Sequence, residues 1–99
     1  MLTEELILEI ANDYLKKLVG EEKIELAILH DLSIKKPYGI VFFYNTKKYY
    51  ESRDDKDNTL VGNAPFLIEY EKGNIIDFGT NRSEEYYMGE YEAGRWPVK

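Results

Sequence analysis

Ninety-nine residues with 43% hydrophobic content make one domain, spanning residues 1–99, with a single modest core. The lack of cysteine excludes a disulfide frame, a thiol nucleophile and every cysteine-held metal site, and a net charge of −6 argues against direct binding of DNA or RNA. No apolar run reaches the roughly 20 residues that span a bilayer, and the acidic, amphipathic N-terminus is unlike a secretion signal. A soluble, cytoplasmic protein without membrane contact is expected.

Thr3 is a good helix N-cap, with Glu4 and Glu5 following where acids favour the dipole. Leu6, Ile7, Ile10, Ala11, Tyr14, Leu15 and Leu18 recur at steps of three and four, which predicts a helix over 4–19. Gly20 stands where such a helix ends. Ile24 to His30 alternates and reads as a strand; Asp31 to Tyr38 reads as a connection. Gly39 to Tyr44 is apolar on both faces and suits a central strand. Asn45 to Lys48 turns or continues toward Tyr49 and Tyr50, and the charged stretch Glu51 to Thr59 reads as a mobile loop.

Leu60 to Thr80 is the best-punctuated stretch. Gly62-Asn63-Ala64-Pro65 is a turn, with Gly62 expected to serve backbone shape and Pro65 biasing Ala64 toward extended backbone. Phe66 to Tyr70 and Ile75 to Phe78 read as a hairpin, with Gly73 as its left-handed residue. Phe66, Ile68 and Tyr70 share one face; Leu67 and Glu69 take the other. Ser83 caps a short helix whose Tyr87 and Tyr91 face the body, and residues 93–99 form a tail. The expected class is α+β: an N-terminal helix packed on a four-stranded antiparallel sheet, with a short C-terminal helix. Leu6, Ile10, Tyr14, Leu18, Ile28, Val41, Phe43, Phe66 and Ile68 are the expected core.

Reactive chemistry is scarce. His30 is the only histidine, so paired-histidine metal sites are ruled out, and Asp31 beside it would point to the opposite face of a regular strand. The loop from Asp55 echoes a calcium loop, but Leu60 stands at its glycine position and Phe66 at its closing glutamate. Phosphate loops and nucleophile elbows are missing. No cofactor, no metal and no catalytic set are expected, and the chain does not read as an enzyme.

The run GIVFFYNTKKYYESRD, then LVGNAPFLIEYEKGNIIDFGT, then EYYMGEYE, resembles the immunity protein 35 family, also called YrhB-like. The pattern is a strand ending in Phe-Tyr-Asn, a loop with Tyr-Glu-Ser, Gly-Asn-Ala-Pro, Gly-Thr after the hairpin, and a Tyr-x-x-x-Tyr-Glu close at Tyr87, Tyr91 and Glu92. It covers roughly residues 38–92. Ile40 stands where a tryptophan is common, and Ser83 where a proline usually opens the last helix. The resemblance implies an α+β protein of bacterial polymorphic toxin systems that neutralises a cognate protein toxin by binding it. Two other classes are a chaperone-like or generic interaction domain binding exposed apolar segments, and an enzyme or ligand pocket around His30.

Charge points to the contact face. Residues 69–92 hold seven acids against two bases, and the preceding loop adds four more acids. The expected partner-binding residues are Tyr49, Tyr50, Glu51, Asp54, Asp55, Asp57, Tyr86 and Glu90, acids for encounter and tyrosines for hold.

Overall fold

The structure, a computed structural model, describes residues 1–20, 25–54, 64–79 and 82–97. Helix α1 runs Glu4–Val19, and the Thr3 side chain accepts from the Leu6 N–H at 3.2 Å. Gly20 ends it at φ 57°, its N–H bonded to the Lys16 carbonyl. The buried line is Ile7, Ala11 and Leu15, with Leu8, Ile10 and Tyr14 packed beside it. Leu6 and Leu18, expected in the core, are instead exposed. Leu6 sits roughly 100° round the helix from Ile7, and Leu18 lies in the last turn, beyond Leu15.

Among the described residues, six short strands make two antiparallel sheets. Strands β2 (Ile34–Lys36), β3 (Gly39–Phe42), β5 (Phe66–Glu69) and β6 (Ile75–Asp77) form a sheet in the order β2-β3-β5-β6. Strands β1 (Leu26–Ile28) and β4 (Tyr44–Thr46) pair separately. The expected architecture is present: α1, a four-stranded antiparallel sheet and a short C-terminal helix. Its membership differs. Of the expected strand Ile24–His30, Ile24 lies outside the described residues and residues 25–30 supply β1, which joins β4; its expected place is taken by Ile34–Lys36, from the stretch read as a connection. Three residues with one apolar side chain carry almost no periodic signal. The Gly39–Tyr44 run is likewise split at Phe43, whose carbonyl accepts from the Leu29 N–H at 2.8 Å.

Register explains the layering. In the pairs Ile40↔Ile68 and Phe42↔Phe66 the side chains point to α1, where they pack with Ile7, Ala11, Leu15 and Ile28. In the pair Val41↔Leu67 they point the other way, onto Phe78, Tyr87 and Met88. Helix α3 (Glu84–Glu92) supplies Tyr87 and Met88, so the sheet is covered by helices on both faces. Each fully buried Ile, Leu or Phe contributes about 1.5–3 kcal/mol. Of the other expected core residues, Ile28, Val41, Phe66 and Ile68 are buried, whereas Phe43 is half-buried against the α3 side.

The hairpin turn behaves as its residues require: Gly73 has φ 72° and its N–H returns to the Glu69 carbonyl at 2.9 Å. Of the preceding turn, Pro65 accepts from the Phe78 N–H at 3.0 Å, while Gly62 and Asn63 lie outside the described residues. Asn45 and Thr46 continue the chain as part of β4, but from Lys47 it neither turns nor extends: Lys47–Ser52 is a short helix, α2, capped by the Thr46 side chain on the Tyr49 N–H. Arg53, at φ 54°, ends it. The Ser83 side chain caps α3 on the Tyr86 N–H at 3.3 Å, as its residue type predicts. Beyond α3, the stretch read as a tail is held at Trp96, whose indole N–H donates to the Asp77 carbonyl at 2.9 Å. No described helix is long and apolar enough to cross a membrane.

Candidate partner-binding surface

The expected contact residues divide between two neighbourhoods. Tyr49, Tyr50 and Glu51 lie on α2, with Asp54 just past its end; α2 packs on β1 and β4. Tyr86 and Glu90 lie on α3, which packs on the far face of the four-stranded sheet. Asp55 and Asp57 lie outside the described residues.

On α2, Tyr49 is half-buried and Tyr50 is 37% exposed. The Arg53 guanidinium stands 5.4 Å from the centre of the Tyr50 ring. Its N–H edge is committed to Asp31, with Nη2 donating to Oδ1 at 2.6 Å and Nη1 to Oδ2 at 3.2 Å. This fork holds the Asp31 carboxyl below the usual carboxylate range and raises the guanidinium. His30 meets Tyr50 edge-on at 6.3 Å. The 3₁₀ turn His30–Leu32 thus brings His30 and Asp31 to the α2 ledge. Nothing in the sequence signalled this, because the pair spans 22 residues and each member alone reads as a solvated charge. Asp31, being held by Arg53, is also diverted from orienting the imidazole.

A second ledge repeats the arrangement on α3. Tyr86 is 46% exposed, and the Arg82 guanidinium sits 5.4 Å from its ring centre. Tyr87 lies beneath it, edge to face at 5.4 Å, and is itself buried as its spacing predicts. Glu90 is held by the chain that follows α3. Gly94, at φ 78°, turns the chain back so that the Arg95 side chain pairs with the Glu90 carboxylate, and the Arg95 and Trp96 N–H groups bond to the Glu90 carbonyl. The Glu90 side chain is 80% covered and pairs with Arg95.

The acids of residues 69–92 are less bare than their count suggests. Tyr91 donates its phenol to Glu69, Tyr14 to Asp77, and Tyr38 to Glu92 at 2.6 Å. Burial first, and then the neighbouring carboxylate, raise all three phenols, Tyr91 to about 12. Glu71, Glu84 and Glu85 remain without a partner among the described residues. Two open clefts accompany these features. One, of about 320 Å³, lies between the α1 end and β1, where Lys47 pairs with Glu25 at 3.5 Å. The other, of about 300 Å³, lies where Tyr38, Tyr70 and Tyr91 converge. No group of three or more His, Asp or Glu residues able to hold a metal occurs among the described residues.

Comparison with known proteins places the chain. It is 30% identical over 82 residues to the uncharacterized protein YrhB of Escherichia coli (strain K12), an alignment covering 83% of this chain and 80% of that protein. The chain belongs to the YrhB family. No family model matches it, and no solved structure does.

Proposed function

We propose that the protein is a non-catalytic immunity protein that binds a cognate protein toxin in the cytoplasm and neutralises it by occupying its surface. The observation that carries this reading is the selective exposure of Tyr50 and Tyr86. Tyr14, Tyr38, Tyr87 and Tyr91 are drawn into the body or onto carboxylates, whereas these two rings stand out, each backed by an arginine. Tyrosine and arginine at a partly exposed ledge are the residues that dominate protein interfaces. The net charge of −6 suits encounter with a basic partner, and the YrhB-like pattern resembles immunity protein 35.

The test is co-expression with the product of the adjacent gene. Rescue of growth, with a stable complex recovered from the same cells, supports the reading. Recovery of this protein with many unrelated chains, and no rescue, would favour the chaperone-like role instead.

A further inference from the structure

The β2–β3 turn and the β5–β6 turn lie at the same end of the four-stranded sheet, because Gly39 pairs with Glu69. The last turn of α3 closes over them and leaves the cleft of about 300 Å³. Its walls are the rings of Tyr38, Tyr70 and Tyr91 with Pro37 and the exposed Met1, and its carboxylates are Glu69 and Glu71. No lysine or arginine among the described residues lines it. Lys36 stands outside, its Nζ 3.9 Å from Glu92 Oε2, and Lys72 follows Glu71 in the turn.

We propose that this cleft receives the guanidinium group of an arginine presented on the surface of a protein partner. The rings are set before any ligand arrives: Tyr38 and Tyr91 lie 4.9 Å apart, Tyr38 bonded to Glu92 and Tyr91 to Glu69. Tyr91 uses Glu69 Oε2, so Oε1 is left without a donor among the described residues, as is the Glu71 carboxylate. Aromatic rings beside the open Glu71 carboxylate and the free Glu69 oxygen complement a planar, always-charged fork of N–H donors. An ammonium group has neither the plane nor the fork, so lysine binds less well. Acids alone at this turn would be a solvated surface; the ring walls and the concavity make a receptor of it. The proposal is separate from the immunity reading, since any protein with a protruding arginine fits the cleft.

The experiment is an NMR titration of the ¹⁵N-labelled protein with an acetylated, amidated Gly-Arg-Gly peptide, and with its lysine and citrulline counterparts. Saturable shifts are expected at the amides of Tyr38, Tyr70, Glu71 and Tyr91, strongest for arginine, weaker for lysine and absent for the neutral citrulline peptide. Glu71→Gln, at an exposed turn position, is expected to weaken arginine binding by about three- to tenfold. Glu85→Gln, on α3, is expected to leave it unchanged. Equal binding of citrulline, shifts spread evenly over acids elsewhere, unaltered affinity in Glu71→Gln, or no saturable shift at all would each overturn the proposal.

Discussion

Tyr38, in the turn between β2 and β3, donates its phenol to Glu92 Oε2 at 2.6 Å, tying that turn to the last turn of α3 across 54 residues of sequence. Its ring also packs at 4.9 Å on Tyr91, which holds Glu69. Tyr38→Phe keeps the ring and removes only the hydroxyl. It is expected to lower the unfolding free energy by about 1 kcal/mol, read from the urea midpoint at unchanged slope.

The same phenols set an alkaline limit on stability. Unfolded, they titrate near 10; folded, Tyr14, Tyr38 and Tyr91 are raised, Tyr91 to about 12. A raised folded pKa means that the native state holds its proton longer. The contribution is therefore complete below about pH 10 and is lost as pH rises through the folded values. Urea midpoints should hold level up to about pH 9 and fall from about pH 10 upward. Tyr91→Phe should shallow that fall, and a native tyrosinate absorbance titration should show late-ionising groups.

Helix α1 offers a paired test of its buried line. Leu15 is 3% exposed and Leu18 46% exposed. Leu15→Ala is expected to cost about 2–5 kcal/mol, and Leu18→Ala under about 1 kcal/mol. Equal costs would show that the helix is seated on a different face.

Gly39 allows the closest approach in the sheet. A Cβ there would run into the Ile68 carbonyl oxygen, which is backbone and cannot swing aside. Gly39→Ala is expected to cost about 1–3 kcal/mol through a shifted β3–β5 pairing, measured by thermal or urea unfolding.

Local chemistry made much of this fold legible. Thr3, Ser83 and Gly73 each carry a cap or turn signal that depends on near neighbours alone, and all three act as their residue types require. The period of α1 gave the helix but not its seating, because seven apolar positions make a stripe wider than the sheet covers. Ile34–Lys36 was hidden because its strand character comes from pairing with Gly39–Val41, not from its own pattern. The α2 helix was hidden because Lys-Lys-Tyr-Tyr has no apolar period and depends on the Thr46 cap. At the candidate surface, the exposed Tyr50 and Tyr86 were legible from composition and position. Their arginine backing, the Asp31–Arg53 fork and the diversion of Glu90 to Arg95 were not, since each depends on how the chain turns back in space.

Docking through the two tyrosine–arginine ledges is tested most directly by binding kinetics against the product of the adjacent gene. The variants are Tyr50→Ala, Tyr86→Ala and the charge reversal Glu51→Lys with Asp54→Lys, each at low and high salt. Each alanine variant is predicted to bind about tenfold or more weakly, mainly through faster dissociation. The charge reversal is predicted to slow association at low salt, with the difference shrinking as salt is raised. Unchanged dissociation in both tyrosine variants, together with unchanged association and salt dependence in the charge reversal, would contradict docking at these ledges.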